Sequence, residues 1–134
     1  MVLVLFGLFF ALILVGVGII SSQFHQIVNQ AEREKTYNIA EAGIRYGLWE
    51  LMVAQESANA AQVKGKTVTD PASGATLGTF DLTTQSNKKA ETNLVTLTAV
   101  GKDAALPSLT QTIVVILQTT DNKTYSIVSW DHQL

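Results

Sequence analysis

Cysteine is absent from the chain, which removes disulfides, thiolate metal sites and thiol nucleophiles in one step. Folded stability therefore rests on burial. Proline is scarce, with only Pro71 and Pro107 present, so nothing in the first half of the chain forces a helix to break. Charge of one sign never accumulates: 9 Lys and Arg stand against 11 Asp and Glu, 9 − 11 = −2, without a block of like charge. That balance leaves no electrostatic footprint for nucleic acid or anionic lipid. In 134 residues there is room for one domain plus an anchor, and not for two large domains.

Charge of both signs is missing from Met1 to Gln30, and the run MVLVLFGLFFALILVGVGII holds almost nothing polar. About 20 apolar residues span a bilayer as a helix, so Met1 to Ile20 reads as membrane-competent. A secretory signal peptide would carry a basic n-region and a small-residue cleavage site, and neither is present. A single-pass anchor usually carries Lys or Arg on its cytoplasmic flank. A chain that starts directly in apolar sequence therefore carries the expectation that a basic leader has been removed. Gly7, Gly16 and Gly18 admit close helix packing, and Gly16 to Ser22 offers a stretch that could unwind locally.

Beyond Ser21 the pattern turns amphipathic with no proline or glycine until Gly43. Phe24, Ile27, Val28 and Ala31 keep an apolar stripe at helical spacing. The segment AEREKTYNIAEAGIRYGLWELMVAQESANAAQ is rich in good helix formers, and Glu41 precedes Arg45 by four residues, the favourable order for a surface pair. One helix from Met1 to about Ala60 is predicted, about 90 Å long at about 1.5 Å per residue. Its apolar half, residues 1–24, would protrude. Its second half carries two apolar faces: Ile39, Ala42, Tyr46, Trp49 and Val53 on one, and Ala40, Ile44, Leu48, Leu51 and Met52 on the other. One would cover the molecule's own sheet, with the Trp49 face expected there, so that truncating Trp49 would cost about 3–5 kcal/mol. The other would remain for a neighbouring subunit.

From Val63 the period changes. ATLGTFDLTT, TNLVTLTAV, LTQTIVVILQTT and YSIVSW are rich in Thr, Val, Ile and aromatics. Asp70–Gly74, Ser86–Lys89, Gly101–Asp103 and Asp121–Lys123 read as the turns between them. Short connections favour an antiparallel meander of three to four strands, and strands segregated after a helix define an α+β class. Ile113 to Leu117 is continuously apolar and is expected to be central, with Leu94, Val95, Leu97 and Val100 beside it. Val63 to Asp70, with Lys64, Gly65 and Lys66, reads as loop or edge. Residues 25–134 thus form the second part of the chain, half helix and half sheet.

Candidate chemistry is thin. Catalysis needs a nucleophile or an acid–base pair held together, and the only histidines, His25 and His132, lie far apart in sequence. No glycine-rich phosphate loop, HExxH or EF-hand spacing occurs, so no catalytic, cofactor or metal site is predicted and the chain reads as a non-enzyme. Glu32, Glu34, Glu41 and Glu50 interleave with Arg33, Lys35 and Arg45 as a solvated helix face does. Asn122-Lys123-Thr124 fits the N-glycosylation sequon.

An uncharged apolar N-terminus continuing through AEAGIRYGLWEL and followed by a Thr/Val-rich antiparallel sheet resembles the bacterial type IV pilin and pseudopilin superfamily. AEAGIRYGLWEL and YSIVSW look most like minor-pilin-type members. The resemblance implies leader cleavage, N-methylation of Met1, and self-assembly into a helical homopolymer with Leu5, Gly7, Phe9, Phe10, Leu12, Gly16, Gly18 and Phe24 in the filament core. It further implies residence in the inner membrane before assembly, engagement of the pilus assembly machinery, and an extracellular filament afterwards. The family usually has Phe first and Glu fifth, the acid pairing with a neighbour's terminal amine, whereas this chain has Met1 and Leu5. A minor pilin or type II secretion pseudopilin at the filament tip is the alternative within the superfamily. A membrane-tethered extracytoplasmic binding module is the alternative outside it.

Overall fold

A computed structural model of the chain describes residues 2–54, 62–89, 92–121 and 123–133, and within the first helix it places side chains at 13, 15, 18 and from 20 onward. Two compact units result, Met1–Glu32 and Arg33–Leu134. The first consists of helix α1 (Val2–Met52) up to Glu32. The second holds the rest of α1 and five strands: β1 (Val63–Thr69), β2 (Thr76–Lys89), β3 (Thr92–Asp103), β4 (Thr110–Thr119) and β5 (Ser126–Gln133).

The α+β class stands, with five strands in place of the expected three to four. All neighbours are antiparallel in the order β1-β2-β3-β4-β5, an uninterrupted meander. The additional strand is β1, the segment expected to be loop or edge. Its signal is weakened by Gly65, which takes a positive φ of 65° at a register irregularity between Val63 and Lys66. Asp81 on β2 accepts the Gly65 amide at 2.7 Å and holds that bulge to the sheet.

Two of the four expected turns move. Ser86–Lys89 belongs to β2, paired through to Lys89↔Thr92, and Gly101–Asp103 belongs to β3, paired with β2 and β4. Gly101 is a glycine for a reason other than turning. A Cβ there would lie 2.5 Å from the Thr36 carbonyl oxygen and 2.6 Å from the Ala40 nitrogen, so the helix backbone rests almost on the strand. Gly43 is the counterpart on the helix, where a Cβ would meet the Phe80 ring at 2.8 Å and Ala99 at 3.0 Å.

That close approach decides which helical face is inward. Thr36, Ala40, Ile44 and Leu51 are buried together with Ile39, whereas Trp49 is 52% exposed and Val53 65%. The face expected to form the core therefore contributes Ile39, with Tyr46 packed beside it, but not Trp49 or Val53. Small residues at 36, 40, 43 and 47 let α1 settle onto the sheet, and an indole at that distance would not fit. Trp49 lies instead beside Tyr46, ring centroids 6.4 Å apart, and Tyr46 carries the Lys66 ammonium 3.4 Å above its ring.

Opposite α1, burial alternates strictly. Val95, Leu97, Ala99, Gly101 and Asp103 on β3, and Gln111, Ile113, Val115, Leu117 and Thr119 on β4, are buried, and the residues between them are half-buried on the other face. Ile113 to Leu117 is an interior strand as expected, with Val95↔Leu117 and Leu97↔Val115 in register. Phe80 and Leu82 of β2 complete the core. The helix is described as closing at Met52, where the amides of Val53 and Ala54 both donate to the Trp49 carbonyl, at 2.9 and 3.2 Å. The rest of its expected span, to about Ala60, lies outside the described residues.

Gly101→Ala is expected to force apart two backbones and to cost about 1–3 kcal/mol. Trp49→Ala is expected to cost about 1 kcal/mol or less, the scale of an exposed aromatic pair. Denaturant unfolding of both variants ranks them, and a larger loss for Trp49→Ala would contradict the assigned face.

Candidate functional site

In the first unit α1 presents large apolar side chains to solvent: Ile13 at 49% exposure, Val15, Ile20, Phe24 at 66%, Ile27 and Val28. A run of this kind on a helix is a surface built for other apolar matter. Of the residues assigned to a filament core, Phe24 is exposed and Gly18 has open space where a Cβ would stand. Leu5, Gly7, Phe9, Phe10, Leu12 and Gly16 lie within α1 with side chains outside the described set, and Met1 and Asn122 lie outside the described residues. Among the described residues no helical stretch is long and apolar enough to cross a membrane; the side chains of Met1 to Leu12, most of the run on which that expectation stands, are not among them.

In the second unit the ionised groups hold the architecture. Three of the described connections are led by an aspartate that accepts amides or hydroxyls just after it. Asp70 takes Ala72 N at 3.0 Å and the Ser73 hydroxyl at 2.6 Å. Asp103 takes Ala105 N and Leu106 N through Oδ1, at 2.6 and 3.1 Å. Asp121 takes Thr124 N at 2.8 Å and Lys123 N at 3.0 Å. Hydrogen bonds from Thr124 and Lys123 hold the Asp121 carboxyl down at about 2.

Asp103 differs in being buried. Its Oδ2 lies 2.6 Å from the Lys35 ammonium, with the carboxylate side chain 0% and the lysine side chain 34% exposed. Burial pushes the Asp103 carboxyl up, but the Lys35 ammonium and the two turn amides outweigh it and leave it below the usual range. The pair ties α1 to the end of β3. The expected Glu41–Arg45 pair is present at 2.7 Å, on the surface, where it contributes a few tenths of a kcal/mol.

Among the described residues an open groove of about 380 Å³ is lined by Gln62, Val63, Lys64, Asp81, Leu82 and Thr83. Asp81 is its carboxylate, and both oxygens are engaged: Oδ1 by Gly65 N and Oδ2 by Lys102 Nζ at 2.5 Å. The Lys102 bond, with that amide, lowers its pKa. The carboxylate of the groove is therefore fully engaged. His132 sits 2.7 Å from the Gln111 side-chain oxygen and edge-on to Tyr37, centroids 4.8 Å apart, fixing the end of β5 to β4 and α1. Sequence reasoning missed this anchoring role because a chain-terminal histidine carries no local signal of a partner 21 residues earlier. Among the described residues no three His, Asp or Glu converge as metal ligands would.

Lys35→Met should destabilise the second unit by about 3 kcal/mol at neutral pH, because it leaves a buried carboxylate without its counterion. Both Asp103 and Asp121 have folded-state pKa values below that of an unfolded carboxylate, about 3.9. Their contribution is thus complete above about pH 4 and is lost as pH falls toward 2. Unfolding measured from pH 7 to pH 2 should show stability declining in that window, and the gap between wild type and Lys35→Met should narrow there as Asp103 becomes neutral. A gap independent of pH would exclude the pair as its source.

No protein-family model matches the chain, and no curated protein or solved structure is significantly similar to it.

Proposed function

We propose that the chain is a structural subunit of a type IV pilus-like extracellular filament, which polymerises through its apolar N-terminal helix and displays the α+β unit as its head. The observation that carries this reading is the exposure of Ile13, Val15, Ile20, Phe24, Ile27 and Val28 along α1 of the first unit. Side chains of this size have no partner surface in a lone helix, and the uncharged sequence before them extends the same character to Met1. Lipid of the inner membrane covers them before assembly, and copies of the same helix cover them afterwards. The second unit supports a passive role, since its described aspartates hold turns, a bulge and an ion pair in place.

Leu5 favours a specific form of this assembly. With no acid between Met1 and Ala31, the contact between apolar segments rests on dispersion between apolar side chains and on the glycines. The same absence is the feature that favours the second reading, a minor pilin or pseudopilin at a filament tip.

Leu12→Arg places a charge in the apolar half, where insertion scales assign about 2.5–3.5 kcal/mol. Negative-stain microscopy of material sheared from cells should show filaments containing the wild-type chain and none containing Leu12→Arg, while the second unit of the variant remains folded. Assembly of the wild-type chain should depend only weakly on salt, and Leu5→Glu should not strengthen the fibre. Normal filaments from Leu12→Arg would remove the core-helix role, and marked strengthening by Leu5→Glu would remove the packing-only account.

A further inference from the structure

Between the apolar run of α1 and its charged half lies a segment of a third kind. Ser21 to Gln30 is exposed at every position, yet it holds no Lys, Arg, Asp or Glu. Seven of its ten residues are Ser, Asn, Gln or His, and Glu32, Arg33, Glu34 and Lys35 follow almost at once. A helix face made for water normally carries charge, as the later part of α1 does. The neutral polar side chains used here share a property that Lys and Asp lack, because Ser, Asn, Gln and neutral His each donate and accept hydrogen bonds. A surface of such groups can pair with an identical surface. Ammonium or carboxylate groups repel their own copies and offer only donors or only acceptors. The composition of this segment is therefore suited to a second copy of itself.

We propose that Ser21–Gln30 is a hydrogen-bonding collar between the α1 helices of neighbouring copies, and that His25 makes this contact acid-sensitive. The inference rests on the filament reading above and extends its contact past Ile20. Phe24 and Ile27, 66% and 63% exposed, supply apolar area there, and the amides and hydroxyls between them add hydrogen bonds from helix to helix. His25 is the only side chain from Met1 to Ala31 that titrates. An imidazole takes up its proton at about pH 6.5 and is then a double donor with no acceptor. Within one turn of it on its own helix stand Ser21, Ser22, Val28 and Asn29, none of which carries charge. The nearest acid, Glu32, is seven residues on, about 10 Å along the axis. The helices packed against it are copies of α1, whose titratable or charged side chains up to position 35 are His25, Glu32, Arg33, Glu34 and Lys35. In acid every copy gains the same positive charge and loses the same acceptor. The collar therefore holds above the range in which imidazole titrates and opens as pH falls through it.

Filaments sheared from cells, resuspended in mild detergent at pH 7.5 and pH 5.5 and then pelleted, give the concentration of free chain at each pH. The wild-type value is expected to rise about tenfold at pH 5.5, the full effect of one proton bound by the free chain and excluded from the fibre. His25→Gln, whose amide keeps a donor and an acceptor without titrating, should remove the response, and His132→Gln should retain it. His25→Lys should release chain at pH 7.5 as the wild type does at pH 5.5. Asp81, Asp103 and Asp121 titrate below the usual carboxylate range, so they stay ionised at both pH values. Fibres equally stable at pH 7.5 and pH 5.5 would overturn the proposal and leave the filament reading standing. Stabilisation by acid would overturn it as well, since it would set Glu32 or Glu34 of a neighbour against His25. No filaments at either pH would remove the filament reading and this inference with it. If His25→Gln fails to assemble, the wild type and His132→Gln still decide the matter, because His25 is then the one histidine left.

Discussion

The second unit depends on how near a helix can come to a strand. At Gly101 the distance is set by backbone against backbone, Thr36 carbonyl and Ala40 nitrogen on one side and a bare Cα on the other. Once that contact is fixed, helical periodicity determines the rest of the seam: Gly43 falls over Phe80 and Ala99, Gly47 over Leu82 and Leu97, and Leu51 continues the same line as a buried residue. Larger side chains are displaced to the flanks. Tyr46 reaches β1 through Lys66, and Tyr37 reaches β5 through His132. One helix thereby touches both edges of a five-stranded sheet that is wider than the helix itself, about 19 Å between its outer strands against a helix diameter of about 10 Å.

The buried ion pair acts on the same seam by a different route. Removing Lys35 and Asp103 from water costs as much as their attraction returns, or more, so the pair is a poor source of net stability. Its value lies in position. Lys35 precedes Thr36, and Asp103 stands two residues beyond Gly101, so a helix displaced along the strand by one turn would strand a buried carboxylate. Shape at Gly101 and charge at Asp103 penalise the same displacement, and agreement between a packing constraint and an electrostatic one is what gives a seam a single register.

Sequence reading recovered what depends on period and composition. The Thr- and Val-rich alternation located β2, β3, β4 and β5, and the continuous apolar run Ile113 to Leu117 marked an interior strand. It failed where a residue type has two uses. Gly101 and Asp103 together look like a turn, and the Asp103 carboxylate does cap one, but Gly101 is absent-side-chain space for α1. Trp49 looks like the natural core residue because area burial favours large aromatics, yet the face that wins is the one whose smallness permits contact. For Lys64-Gly65-Lys66 the choice between loop and edge stayed open, because the Asp81 side chain that stabilises its bulge lies 16 residues away from Gly65, and it is an edge strand. The apolar character of the first segment was legible in its composition. The β5 edge was not, because exposure of a strand is a property of the strands beside it.

The face of the sheet turned away from α1 mixes apolar and polar side chains. Along β3 it presents Leu94, Thr96, Thr98, Val100 and Lys102, and along β4 Thr112, Val114, Ile116 and Gln118, all half-buried by their neighbours on the pleat. Each apolar residue there lies beside a hydroxyl, an amide or an ammonium across the ladder: Val114 pairs with Thr98, Ile116 with Thr96, Val100 with Thr112 and Leu94 with Gln118. β-branched side chains satisfy the strand conformation equally well as Val or Thr, so this alternation keeps the sheet while dividing its apolar area into pieces too small to recruit a partner. Ile127, Val128 and Trp130 are not divided in this way, and neither are Phe24, Ile27 and Val28. Composition thus breaks up the apolar surface on one face of the sheet and leaves it exposed along α1 and β5.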